Sequence, residues 1–213
     1  MASWPFLLKA VGVTLFISVL SMVLGLEIGV VVGSLRTYGG KFFDLSLGFY
    51  VDTMRAIPLL AILVWVYFAF PLITGHSINV LLAAIAALGF HLGAYMAETI
   101  RAGLTSVRRT QMSAALALGM SDFQAVRTII LPQAVIRMLP SLGSLFVFAV
   151  KDSAIASVIA VPELLRQTQV VAGNTYRPFE LYTAAMLVYF IICFPVARGV
   201  DMIYRRVAHL GSS

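Results

Sequence analysis

The chain has 213 residues, of which 61% are hydrophobic and only 11% charged, with a formal net charge of +6. An average soluble domain carries roughly 25% charged residues, so this composition belongs to an integral membrane protein and excludes a soluble globular domain. The cations are dispersed over loop ends instead of gathered in a patch, which excludes nucleic acid as a partner. Cys193 is the single cysteine and lies in an apolar run, which leaves no disulfide and no cysteine metal site.

A hydrocarbon layer of about 30 Å takes about 20 helical residues. Apolar runs at 7–35, 52–74, 78–100, 137–160 and 181–204 meet that length and predict an all-α, polytopic bundle of about five transmembrane helices. No linker, tandem repeat or low-complexity tract divides it, so one domain, 1–213, is expected. The first run is too long and too weakly terminated for a cleaved signal peptide. It carries Gly25, Gly29 and Gly33, spaced by four, which lie on one helical face and permit close helix approach. Glu27 sits deep in the same run, where a carboxylate costs roughly 2.5–3.5 kcal/mol on insertion scales. It either borders a solute path or hydrogen-bonds between helices.

Pro58 cannot donate to a helix and pushes Ile57 out of helical geometry, which predicts a break at the start of the second span. In the third span, Glu98 and Arg101 are three apart and pair as helix neighbours. His91, between Gly89 and Gly93, is expected as an interior histidine or a cavity-lining one. Residues 110–133 then carry a dense helical pattern outside any lipid-length run. Ala114, Ala115, Leu116 and Leu118 give a first short helix its apolar side, and Gly119 suits a left-handed C′ position. Ser121 restarts a second helix as N-cap with Gln124 as capping-box partner, and Pro132 is expected to close it. A hinged helical pair on the membrane face suits docking against another protein.

In the fourth span, Lys151, Asp152 and Ser153 fall near the membrane middle, where ionisable groups are functional candidates. Neighbours on a helix point about 100° apart, so one of Lys151 and Asp152 can face the subunit's own helices and the other the interior path. Residues 161–180 form the longest outer connection, readable as a gate, a docking site or a solvated connector. With 101–136 on the cytoplasmic side, eleven cations fall inside and only Lys9, Arg166 and Arg177 outside, with Lys151 in a span. By the positive-inside rule the N-terminus is outside and the C-terminus cytoplasmic.

Four stretches carry a family resemblance. Gln111, Ala114-Ala115, Ala117-Leu118-Gly119 and Leu131-Pro132-Gln133 resemble the EAA loop of ABC-importer permease subunits, with Thr110 and Ser113 where that family has Gly and Glu. Arg55-Ala56-Ile57-Pro58-Leu59-Leu60 is similar to the Arg-Gly-Thr-Pro-Leu-Leu of polar amino-acid permeases. Tyr95 to Gly103 is similar to their approach to the coupling loop, and Lys151 to Ile159 to their Lys-Asp-Thr-Ser-Leu-Ala-Ser-Val-Ile. The resemblance implies a type I ABC importer permease in the bacterial inner membrane, with a coupling loop at about 104–133. It implies ATPase contact through Gln111, Ala114, Ala115, Leu118, Gly119, Met120 and Asp122. Asp152 and Ser153, with Lys151, Glu27 and Glu98, are the candidates for the translocation path. The implied partners are a pair of ATPase subunits, an extracytoplasmic solute-binding protein, a second permease chain and lipid.

Two other classes compete with that expectation. A secondary transporter or channel would use Glu27, Lys151 and Asp152 as a proton relay, but gives no reason for the hinged loop. A membrane enzyme lacks support, because neither a His-Glu-x-x-His motif nor a Gly-x-Ser-x-Gly elbow occurs. Gly40-Lys41 is followed by Phe42, so no phosphate-binding Gly-x-x-x-x-Gly-Lys-Ser/Thr loop is present and ATP would be used by another chain. No cofactor, metal or catalytic residue is expected.

Overall fold

The computed structural model describes residues 4–207, all helices and connections. Helix α1 spans Trp4–Tyr38, α2 Lys41–Ala56, α3 Leu59–Thr74 and α4 Val80–Ser106. They are followed by α5, Arg109–Ala117, α6, Asp122–Ile159, α7, Leu164–Thr175, and α8, Pro178–Val207. Among the described residues four helices are long and apolar enough to cross a membrane, or up to five if the bent pair α2–α3 is counted as one span.

Helix α4 is the centre of the bundle, and its longest contact is with α1. The glycines make that contact close. A Cβ at Gly29 would fall 2.5 Å from the Met96 Cβ, and one at Gly93 2.8 Å from the Ile28 Cγ2. Without water to drive apolar association, such close packing and interhelical hydrogen bonds hold membrane helices together. Ser18 of α1 supplies one such bond, donating to the Ala149 carbonyl of α6 at 3.3 Å.

The second expected span differs from a straight helix. Its helix begins earlier, at Lys41, and α2 and α3 meet at 101°. Ile57 is extended (φ −89°, ψ 132°) ahead of Pro58, which is the restriction a proline imposes on its predecessor. Phe42, Leu45 and Phe49 form an exposed apolar stripe on α2, the pattern of a helix lying in the membrane interface. Arg36 of α1 joins α2 to α4 by donating to Asp44 at 3.2 Å and to Glu98 at 2.9 Å.

Residues 110–133 are a single elbow followed by a long rod. Gly119 has φ 82°, and the Gly119 and Met120 amides return to the Leu116 and Ala115 carbonyls, a Schellman closure of α5. Ser121 and Gln124 complete a capping box that starts α6. Pro132 does not close this second helix. A π-helical turn over Val126–Ile130 absorbs the missing donor and the proline ring, and α6 continues through Pro140 to Asp152 and then as a 3-10 segment, Ser153–Ile159, 38 residues in all. At 1.5 Å per residue that rod is about 57 Å long.

At the end of the bundle away from the elbow, Glu163 is fully buried. It caps α7 by accepting from the Leu165 and Arg166 amides at 2.9 and 2.6 Å, and it accepts from the Tyr189 hydroxyl of α8 at 3.0 Å. Burial pushes its carboxyl pKa above the usual carboxylate range, against the pull of those three donors. The adjacent Leu164 amide donates to Thr14 of α1 at 3.1 Å, so α1, α7 and α8 meet at one polar node.

The tight α1–α4 seam has a measurable consequence. Gly29→Ala is expected to destabilise the purified protein by about 1–3 kcal/mol through overpacking, read as a lower thermal midpoint in detergent. Gly12→Ala, where an added Cβ meets nothing within 4 Å, is expected to be neutral or slightly stabilising. Equal effects at the two positions would contradict the seam.

Candidate functional site

Helices α4 and α6 face each other across a polar groove. His91, Tyr95, Glu98, Ala102 and Ser106 recur every three or four residues on one side of α4. Asp152, Phe148, Leu145, Ser141 and Arg137 do the same on α6, which is the periodicity of one helix face. Two cavities lie between them. The one nearer the middle of α4, about 260 Å³, is lined by His91, Leu92, Tyr95, Leu145, Phe148 and Asp152. The one nearer the elbow, about 360 Å³, takes in Arg55, Tyr95, Glu98, Arg137 and Ser141. Tyr95 borders both.

The first cavity has the polar groups to hold a small polar solute. Asp152 is half-buried at its wall, which His91 also lines. The His91 ring lies 5.2 Å from the Tyr95 ring. Its Nδ1 is buried with no hydrogen-bond partner, an arrangement that costs free energy unless something arrives to pair with it.

The other charges expected along the path lie at different places. Glu98 lines the second cavity, and both its oxygens are engaged, one by Arg36 and the other by Arg101. Lys151 holds its ammonium 5.4 Å from the Phe148 ring and borders a separate cavity between α6 and α8 that also contains Asp201. Ser153 is buried, and its hydroxyl donates to the Val150 carbonyl at 2.8 Å. Glu27 is exposed on α1, outside the groove.

The elbow is the second candidate surface. Ala115 is buried against the bundle, whereas Ala114, Gly119 and Asp122 are exposed and Met120 half-buried. Gln111 ties the two legs together by accepting from the Gln133 amide at 3.3 Å. Leu118 and Phe123 are 83% and 71% exposed. Two large apolar side chains at the tip of a capped elbow form a surface suited to a protein cleft. Phe123 was not singled out from the sequence, and Arg55 and Tyr95 were named there within the stretches of family resemblance and not as site residues. The spacing of His91, Tyr95 and Glu98 on α4 carried the signal for Tyr95, and the position of Phe123 in the first turn of a capped helix carried the other.

Residues 25–209 match the family described as binding-protein-dependent transport system inner membrane component. The chain is 34% identical over 207 residues to the probable amino-acid ABC transporter permease protein YckA of Bacillus subtilis (strain 168), covering 97% of this chain and 91% of that protein. It is 33% identical over 204 residues to the glutamine transport system permease protein GlnP of Escherichia coli (strain K12), covering 95% and 93%. A chain from a crystal structure of an amino acid ABC transporter with histidines superposes with a TM-score of 0.88 at 33% identity, over 95% of this chain and 94% of that one. An inward-facing MetNI methionine ABC transporter shares the fold, with a TM-score of 0.82 at 24% identity, over 96% and 97%. With the groove, the elbow and these matches in hand, the chain belongs to the binding-protein-dependent transport system inner membrane component family.

Proposed function

We propose that this chain is the permease subunit of an ABC importer that carries a polar amino acid inward by alternating access. One observation carries the reading: the second leg of the exposed elbow, with Phe123 in its first turn, and Asp152 lie on the same helix, α6. ATPase subunits dock on Leu118 and Phe123, and their closure displaces the elbow. The rod carries that displacement to the groove, which opens toward one side of the membrane and then the other. Gln111, Ala114, Ala115, Gly119, Met120 and Asp122 form or support the docking surface. ATP is hydrolysed on the partner subunits, because the sequence of this chain holds no phosphate-binding loop.

Solute passes through the α4–α6 groove, with Asp152 meeting its ammonium group and His91 its polar end. Glu98 acts as a paired wall residue, and Ser153 fixes the turn beside Asp152. A second permease chain completes the path, since Lys151 is exposed at membrane depth, where a bare ammonium in lipid costs roughly 2.5–3.5 kcal/mol. Whether that chain is identical or a sibling, it also covers part of the exposed flank of α8. Glu27 faces lipid or this partner. The eleven-to-three cation asymmetry supports an outside N-terminus and a cytoplasmic C-terminus. The α7 region, with Arg177, Tyr176 and Phe179 exposed, is where an extracytoplasmic binding protein delivers solute. Glutamine is the first solute to test, because relatives bear that name.

Gly119→Val places a β-branched residue at φ 82°, a conformation such residues avoid. It is expected to leave membrane insertion intact and to lower ATP-driven uptake in proteoliposomes by at least tenfold; undiminished uptake would contradict the elbow's role. Asp152→Ala is expected to reduce uptake similarly while the ATPase subunits still co-purify. Wild-type kinetics in that variant would make Asp152 structural.

A further inference from the structure

The inner cavity of the groove has no assigned occupant, and its charge is specific. Glu98, the carboxylate on its wall, is already held by two cations, Arg36 and Arg101. Arg55 forms no ion pair among the described residues. It lies 5.4 Å from the Tyr95 ring centroid instead, its guanidinium stacked on the aromatic side chain that both cavities share. The 101° bend at Pro58 sets Arg55 there, as the last basic residue of α2 before the break. Across the cavity the Arg137 guanidinium lines the opposite wall, hydrogen-bonded to the Ser106 carbonyl and hydroxyl. A guanidinium fork matches an oxyanion, and stacking on an aromatic ring preorganises it for that contact.

Asp152 and Arg137 are fifteen residues apart on α6, about 22 Å along a helix. The ammonium and carboxylate of one amino acid cannot reach both at once. Asp152 lines only the first cavity and Arg55 only the second, so Asp152 suits the ammonium and Arg55 the carboxylate, in successive cavities that meet at Tyr95.

Resting on the importer reading, we infer that the inner cavity is a release station, in which Arg55, with Arg137 opposite, holds the departing solute by its carboxylate after the ammonium has left Asp152. The order gives direction to the groove: the cation-binding end lies at membrane depth and the anion-binding end opens toward the elbow. Any solute with a free carboxylate fits this station whatever its side chain. An oxyanion from a lipid headgroup phosphate has the same chemistry, so the test must separate the two.

The test uses the complete complex with its ATPase subunits, nucleotide-free, in nanodiscs of pure phosphatidylcholine and again with phosphatidylglycerol. Equilibrium binding is measured for glutamine, glutamate, histidine and arginine and for the α-carboxamide of each. For the amino acid that binds tightest, the acid is expected to bind at least tenfold better than its amide, about 1.4 kcal/mol. Arg55→Gln is expected to bring that ratio to about one by weakening only the acid, and Arg55→Lys to retain part of it. Co-purification of the ATPase subunits checks that each variant is folded. A ratio near one in the wild type, or a ratio unchanged by Arg55→Gln, would overturn the inference. So would an acid preference that vanishes when phosphatidylglycerol is present, which would assign the station to lipid phosphate. ATP-driven uptake of the same amino acids separates the two levels. Uptake with equal acid and amide affinity contradicts the carboxylate station alone, whereas no uptake of any of them also removes the importer reading on which it stands.

Discussion

A helix passes on displacement because each turn is tied to the one before it, so an end that is moved carries the rest along. In this chain that property links two places otherwise on different sides of the membrane boundary. Helix α6 begins in the capped elbow at Asp122 and ends beyond Asp152, at Ile159. Two prolines, Pro132 and Pro140, remove donors from it, and neither divides it. The elbow itself is held closed at both ends, by the Schellman bonds around Gly119 and by the Ser121–Gln124 capping box. Displacement applied at Leu118 and Phe123 therefore has a defined route into the bundle.

A lever also needs a wall that stays put. The α1–α4 seam supplies it, since glycines bring the two backbones too close for even a methyl group at Gly29. The Arg36–Glu98–Arg101 cluster adds charge-assisted hydrogen bonds across α1 and α4 toward the elbow. The α4–α6 groove thus has one fixed side, carrying His91 and Tyr95, and one side that belongs to the rod. Asp152 and Arg137 sit on the rod, the side proposed to move. Such an arrangement changes the spacing between the groove's polar groups without unfolding either helix.

Local chemistry was the legible part of the sequence. Gly119, Ser121 and Gln124 act within a few residues of one another, so their caps could be read directly. The two prolines that looked alike behaved differently for a reason no residue pattern states. Ile57 before Pro58 goes extended (φ −89°, ψ 132°) and the chain turns, while Leu131 before Pro132 remains helical (φ −60°, ψ −45°) because a π turn makes room. Helix α2 was hidden because Lys41, Asp44 and Asp52 interrupt its apolar stripe in any hydropathy window. Glu163 reads as a solvated loop residue until Tyr189, 26 positions away, is found donating to it. Arg55 and Tyr95 likewise become a pair only once the bend folds α2 over α4.

The rigid transmission itself can be measured by pulsed electron paramagnetic resonance on the assembled complex, with Cys193→Ser as background. Spin labels at Arg127→Cys and Val158→Cys mark the two ends of α6, and a pair at Arg127→Cys and Leu20→Cys relates the elbow to the α1 wall. Trapping the ATPases with ATP and vanadate is expected to leave the first distance unchanged and to shift the second. A change in the first distance, with the second constant, would mean that α6 flexes and absorbs the motion, and would contradict transmission by a rod.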